Sequence, residues 1–267
     1  MRIIAGEFRS RKLQSPPEKA ETRPIPDRVK ESLFSLLRGH FEEVAVLDAF
    51  AGTGSFGLEA LSRGASFCTF IERDRAVARV LEQNIASLGC KDRCEIVIGD
   101  ALAASSLARL HERVHIAFFD PPYAVVENAL GWRRTRDQLM RALRLVDDGG
   151  YLIHRTPWPF THQAEGDAAS DRTQRGGPHA RGDGSSDGAF DPPPAELSLD
   201  LADPRAEAAL EAFEAQLSQI MRGPERLDVD LSLPGAVGPE THVYRHTAVH
   251  LYQASRAGPP GAAETAV

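Results

Sequence analysis

Residues 46–57 read VLDAFAGTGSFG: a short apolar run that ends in an aspartate, passes through a glycine-rich turn and opens the pattern of a helix. Glycines let backbone approach a ligand closely, and the first amides of the following helix have no partners within it. Gly52, Gly54 and Gly57 satisfy GxGxxG, a pattern that dinucleotide oxidoreductases share. Asp48 tilts the reading, because a carboxylate inside the motif repels a pyrophosphate but can hold the ammonium of an amino-acid moiety. S-adenosylmethionine carries that ammonium. Asp48, Phe50, Ala51, Gly52, Thr53 and Gly54 are therefore the first candidate cofactor residues.

Outward from this stretch, apolar runs alternate with helical patterns. AVLDAF (45–50), SFCTFIE (66–72), CEIVIGD (94–100), HIAFFD (115–120) and YLIHRT (151–156) read as strands. SFGLEALSRG (55–64), RAVARVLEQNIASLG (75–89) and a segment of about 135–146 read as helices between them. Such alternation predicts a parallel sheet with crossover helices. Ligands of open parallel sheets collect beyond the carboxyl ends of the strands, where Asp48, Glu72, Asp100 and Asp120 all stand. Glu72, with Arg73 beside it, is placed to receive ribose hydroxyls, and Asp100, with Ala101, to face an adenine amino group. Each acid taken singly is most simply a solvated loop carboxylate. Four at successive strand ends make a site.

The deciding motif is Phe119-Asp120-Pro121-Pro122-Tyr123. An exocyclic base amine is a poor nucleophile because its lone pair is delocalised into the ring, so catalysis must localise that pair without full deprotonation. Asp120 and the Pro121 carbonyl supply two acceptors for the amine hydrogens, Pro121 and Pro122 stiffen the turn, and Tyr123 offers a ring to stack on an extruded base. The bland alternative is a Pro-rich turn after a strand. The glycine motif upstream weighs against it.

The 267 residues carry a net charge of −7, with 42% hydrophobic and 26% charged, an ordinary soluble composition. Within residues 1–40, however, nine basic residues face five acidic ones, a local basic arm. That arm carries two brief apolar patches, RII and KLQ, suggesting a short hairpin. A helix should follow, with Asp27 as its N-cap, an apolar face of Val29, Leu33, Leu36 and Leu37, and Gly39 as its stop. Residues 41–160 read as the cofactor-binding core and 161–200 as a disordered insertion, too poor in apolar surface to offset chain entropy. Residues 201–256 return as a helix over 203–221 and two closing strands, RLDVDLSL and HVYRHTAVHLYQ, and 257–267 as a frayed tail. Cys68, Cys90 and Cys94 lack metal-site spacing, so no metal is expected. No apolar run suits a signal peptide or a membrane span, so the expected location is the cytoplasm.

VLDAFAGTGSFGLEALSRGA, FIERD, IGDAL and FDPPY together resemble the class I methyltransferases that act on amino groups. MRIIAGEFRSRKL followed by TRPIPDRVKESLFSLL narrows the match: it is similar to the opening of the bacterial small-subunit ribosomal RNA guanine-N2 methyltransferases, the RsmD-like family. The resemblance covers about residues 1–156 and returns at VYRHTAVHLYQ; Ala5, where the family usually has a second glycine, and the insertion depart from it. It implies an α/β, Rossmann-like fold whose seven-stranded, mostly parallel sheet has one antiparallel closing strand. It also implies methyl transfer from S-adenosylmethionine to guanine N2 of 16S rRNA within an assembled or partly assembled small-subunit particle; a monomer is expected. Carried over, Asp48, Gly52 and Gly54 border the methionine part, Glu72 the ribose, Asp100 the adenine and Asp120 to Tyr123 the target base. Arg9, Arg11, Lys12, Arg23 and Arg28 would contact RNA phosphates.

Three other readings stay open on the sequence. An adenine-N6 methyltransferase of DNA or other RNA uses the same DPPY chemistry, and no residue of the sequence marks guanine specifically. A nicotinamide-dependent oxidoreductase accounts for GxGxxG but not for Asp48 or DPPY. A non-catalytic assembly factor would keep the fold without the chemistry.

Overall fold

The computed structural model describes residues 1–16, 25–163 and 226–255. Five strands, β1 (Ala45–Asp48), β2 (Phe67–Glu72), β3 (Cys94–Ile98), β4 (Val114–Phe119) and β5 (Val146–Pro157), pair in parallel. Most are apolar on both faces, as a sheet covered by helices on both sides requires. Two later strands, β8 (Ala236–Tyr244) and β9 (Thr247–Ala254), complete a seven-stranded sheet of order β3-β2-β1-β4-β5-β9-β8. Only β9 runs against the rest, antiparallel to both β5 and β8, so the expected single reversed strand is present. The strand order turns back between β1 and β4, which opens a crevice above their carboxyl ends.

Period-two alternation sends neighbouring residues to opposite faces. Val46, Ile116, Phe118, Ile153 and Val249 face one layer, built from α1 (Asp27–Leu36), α2 (Gly57–Ser62), α3 (Arg75–Leu88) and the N-terminal arm. Leu47, Ala117, Phe119, Leu152 and Tyr252 face the other, built from α4 (Ala104–Leu107), α5 (Tyr123–Val126) and α6 (Ala129–Leu143). By contacts the chain divides into two units, Met1–His162 with Asp228–Val267, and Gln163–Leu227. The second falls almost wholly outside the described residues, as do the expected insertion beyond residue 163, the helix over 203–221, the tail and Arg23.

Several expectations are corrected. HVYRHTAVHLYQ is not one strand but most of a hairpin, reversing at Arg245–His246, where Arg245 takes φ 54°. No glycine or asparagine marks that turn, so the apolar alternation ran straight across it. RLDVDLSL supplies no strand of the seven-stranded sheet; its start, β7 (Arg226–Asp228), pairs with β6 (Thr161–Gln163) in a separate two-stranded sheet. Asp27 is the first helical residue rather than the cap, a place taken by Pro26, whose fixed φ of −59° suits the entry and whose side chain has no oxygen to bond an amide. Leu36 is 44% exposed; the buried face is Val29, Lys30, Leu33, Phe34 and Leu37. Helix α6 starts six residues before the expected point because Asn128 caps it, its side chain accepting from the Gly131 amide at 2.8 Å.

The arm is not a loose appendage. Ile3, Phe8 and Leu13 are buried in the core, and the expected hairpin reduces to one antiparallel bridge, Arg2 with Lys12. Its fastener is Glu59 of α2, fully buried. This carboxylate accepts the Ile4 amide at 2.8 Å, the Ala5 amide at 3.1 Å and Arg63 Nε at 2.9 Å, and lies 3.1 Å from Lys30 Nζ. Lys30 also donates to the Arg2 carbonyl at 3.2 Å. Burial pushes the Lys30 ammonium down and Glu59 pulls it back up. Gly6 follows at φ +83°, where a Cβ would lie 1.7 Å from the Ser62 carbonyl oxygen, so the arm touches the end of α2 through bare backbone. Removing one member of a buried ion pair typically costs about 3–5 kcal/mol. We expect Glu59→Ala to destabilise the protein by about that amount in urea unfolding, whereas Arg2→Ala, at an exposed 3.7 Å pair with Asp27, should cost less than about 1 kcal/mol. A Glu59→Ala loss no larger than that of Arg2→Ala would remove Glu59 from this role.

Candidate functional site

Because β1 and β4 are adjacent and in register (Asp48 opposite Phe118), the glycine turn after β1 and the DPPY turn after β4 emerge side by side. Asp48 and Asp120 also share a sheet face, since each stands two residues beyond a residue on the α1–α2 side. The same parity places Arg155 of β5 there, in line with Ile153.

Asp48 is 1% exposed. One oxygen accepts the Gly57 amide at 2.9 Å, at the start of α2, and the other, Oδ1, has no partner. Burial, with Asp120 and Glu72 as like charges, raises its carboxyl to about 7 against the Gly57 hydrogen bond and Lys30. Glu72 ends β2 and accepts two backbone amides, Gly52 and Asp74, each at 2.8 Å, tying the glycine turn to the neighbouring strand. Gly52 adopts φ +54°, and a Cβ there would meet nothing within 4 Å, so the turn leaves open space at the strand end. Gly54 answers a different need, for a Cβ at that position would strike Leu81 and Leu58 at 2.6 and 2.8 Å. Phe50 is half-buried, Ala51 and Thr53 are buried and Arg73 is exposed. Asp100, at the end of β3, accepts the Leu102 amide at 2.9 Å and lies 3.3 Å from Arg134 of α6; Ala101 is buried, its carbonyl accepting from Gln138 at 2.8 Å.

Asp120 is gripped by Arg155 in a two-pronged ion pair, Nε to Oδ1 at 2.6 Å and Nη2 to Oδ2 at 2.9 Å. Burial raises the Asp120 carboxyl, and Arg155 pulls it down. The Arg155 guanidinium also lies 5.5 Å from the Tyr123 ring centroid. Tyr123 donates from its hydroxyl to Thr247 Oγ1 of β9 at 2.7 Å, so the closing hairpin holds the end of the motif. On the opposite sheet face, His154 Nδ1 donates to the Phe119 carbonyl at 3.0 Å, with the ring stacked on Trp132. Burial drives that imidazole down to about 3, so it stays neutral.

The structure thus brings Asp48, Gly52, Glu72, Asp120 and Tyr123 to the carboxyl ends of adjacent strands, and Asp100 stands at the next strand end. Sequence reasoning missed Arg155 and Thr247. A charge within an apolar run, YLIHRT, was the available signal for Arg155. Arg9, Arg11, Lys12 and Arg28 are exposed, and Arg11 reaches the Ser87 carbonyl. Arg9, Arg11 and Lys12 share the arm with Gln14, whose backbone is held by Asn84 of α3, and Asn84 also donates to the Thr53 carbonyl of the glycine turn at 3.0 Å. Among the described residues no group of three or more His, Cys, Asp or Glu is placed to hold a metal, and no helix is long and apolar enough to cross a membrane.

The strand order, the acid-bearing strand ends and the glycine turn beside a DPPY turn define a class I methyltransferase. A family model described as Conserved hypothetical protein 95 matches residues 1–156. The chain belongs to this family, the RsmD-like methyltransferases. Among its relatives, "Ribosomal RNA small subunit methyltransferase D" of Escherichia coli (strain K12) is 39% identical over 152 residues, covering 57% of this chain and 69% of the relative. The protein of the same name from Haemophilus influenzae is 41% identical over 125 residues, 46% of this chain and 64% of its own. The solved structure of Escherichia coli yhhF superimposes with a TM-score of 0.58 at 25% identity, covering 96% of this chain and 99% of that one. The oxidoreductase reading of GxGxxG falls with these matches.

The Asp48 carboxyl, ordinarily near 3.8, is held at about 7 in the fold. Its contribution to stability is therefore fully present below pH 4 and is lost as pH rises towards 7. We expect Asp48→Asn, without ligand, to melt increasingly above the parent protein between pH 4 and pH 7.5. A difference constant with pH would mean that Asp48 does not titrate in that range.

Proposed function

We propose that this chain transfers the methyl group of S-adenosylmethionine to the exocyclic N2 of a guanine in small-subunit (16S) ribosomal RNA, as a cytoplasmic enzyme. The observation that carries the reading is the adjacency of the two turns: the glycine turn with Asp48 and Glu72, and Asp120-Pro-Pro-Tyr on the next strand. The names of the RsmD-like relatives support rRNA as the substrate, and the guanine N2 position follows from the family resemblance.

The residues fit the methyl donor. The unpartnered, buried Asp48 Oδ1 suits its ammonium, the open space at Gly52 admits it close to backbone, and Glu72 and Asp100 have carboxylate lone pairs left for hydroxyl and amino hydrogens. When bound, that group supplies a methyl carbon on a positively charged sulfur. Everything else falls to the chain. Asp120 and the Pro121 carbonyl accept the two hydrogens of the target amine, which turns its lone pair out of conjugation and towards the methyl carbon. Arg155 takes one lone pair from each Asp120 oxygen and leaves the others for the amine. Tyr123, anchored at its hydroxyl by Thr247, presents a fixed ring to a base taken out of its stack. Arg9, Arg11, Lys12, Arg23 and Arg28 draw in the RNA backbone.

The test is transfer of labelled methyl to small ribosomal subunits from cells lacking this protein, followed by nucleoside analysis. We expect labelled N2-methylguanosine. Label on adenine or on DNA would replace this reading with the adenine-N6 one, and no label at all with the assembly factor. Asp120→Asn should abolish transfer while S-adenosylhomocysteine affinity stays within about threefold, less than the 1.4 kcal/mol that a tenfold change represents. Equal loss of both would remove Asp120 from the target side.

A further inference from the structure

We propose that Arg155 is a positioning residue for methyl transfer: its fork, reaching across from β5, fixes the plane of the Asp120 carboxylate that receives the target amine. The inference rests on the proposed reaction and adds to it a residue outside every motif that suggested it. Its basis is geometric. Phe119 and His154 are register partners on adjacent parallel strands, so Asp120, just past β4, and Arg155, within β5, lie at the same level. Both oxygens of Asp120 are met, at 2.6 and 2.9 Å, by two nitrogens of one planar group. Such a bidentate pair defines the orientation of the carboxylate as a single contact cannot. Arg155 itself cannot swing freely, for it is only 9% exposed and lies against Tyr123. Leu33, Phe56, Phe118, Ile153 and Val249 line the small cleft around the pair. Its walls are apolar, so Asp120 would face burial nearly alone if Arg155 were lost.

Among the described residues the charged groups acting on Asp120 are few: Arg155 from β5 and Asp48 from β1, with Tyr123 of the same turn lying against Arg155. Asp48, when ionised, adds a like charge, so Arg155 is the group that keeps Asp120 an acceptor rather than a donor. With Arg155 neutralised, burial acts unopposed and Asp120 holds its proton to higher pH. The acid limb of the pH–rate profile then moves upward.

Two variants separate geometry from charge. Arg155→Gln removes both, and Arg155→Lys keeps the charge but loses the fork. Each is assayed for methyl transfer to small subunits as kcat, as KM for S-adenosylmethionine and as a pH profile from 5.5 to 9, with circular dichroism melting as the check on folding. We expect Arg155→Gln to lower kcat at neutral pH at least about tenfold, with KM within about twofold and activity partly recovered at alkaline pH. Its acid limb should stand about one unit or more above that of the parent protein. Arg155→Lys should lower kcat while leaving the limb in place, and it carries the test alone if Arg155→Gln does not fold. Unchanged kcat in Arg155→Lys, or a loss in Arg155→Gln that is uniform with pH, overturns the proposal while leaving the reaction intact. A parent protein that transfers no methyl to RNA overturns both.

Discussion

The buried carboxylate of Glu59 is the junction on which the working edge of this protein depends. It sits in α2, two residues after Gly57, and is surrounded by two amides of the N-terminal arm, the Lys30 ammonium of α1 and Arg63, the residue that follows α2. A carboxylate this far from water is tolerable only when its lone pairs are filled by donors, at least one of them charged. Each donor belongs to an element that must be located for the site to exist. Arm and α1 carry the exposed basic residues, and α2 is the helix whose first amide, that of Gly57, holds Asp48. Asn84 repeats the arrangement on a smaller scale by joining the arm to the glycine turn. The surface that would meet RNA and the turn that would meet the methyl donor are therefore parts of one hydrogen-bonded assembly.

Parity along the strands does the rest. Asp48, Asp120 and Arg155 come from β1, β4 and β5, adjacent in the sheet, and all face the α1–α2 layer. One residue away on β5 the other parity begins, and His154 uses it to hold the Phe119 carbonyl from behind. The DPPY turn is thus gripped from both faces of the sheet, by Arg155 and Thr247 in front and by His154 at the back. A shift of one residue in β5 would exchange a cation for a neutral ring beside Asp120.

What the sequence made legible was local in origin. The strands show as apolar runs, and the glycine turn and DPPY carry their meaning within a dozen residues. The resemblance at the opening and at VYRHTAVHLYQ reached the family. The misses share one property: their signal lies in a partner far along the chain. Lys30 reads as a solvated charge on a helix until Glu59 lies beside it. Arg155 reads as an oddity in a strand until β4 is set in register. Arg245 carries no turn signature, so the β8–β9 reversal was invisible, and Leu36 was assigned to an apolar face that Phe34 and Lys30 occupy instead.

The balance of charge at the site bears on which ligand it suits. Asp120 and Glu72 each act on Asp48 as a like charge, and burial alone already disfavours ionised Asp48. Two nearby cations oppose this, Arg155 through its direct pair with Asp120 and Lys30 at longer range to Asp48. A pyrophosphate would add negative charge beside an unpartnered carboxylate oxygen, and at an effective dielectric of 20 two like charges 4 Å apart repel by about 4 kcal/mol. A ligand with an ammonium and a sulfonium adds positive charge at the same place and gives Asp48 Oδ1 the partner it lacks. The glycine pattern leaves the cofactor class open, and the sign of the charge around it bears on that choice. That sign suits a cationic ligand better than a pyrophosphate, and Arg155 offsets the charge of Asp120 in the same region.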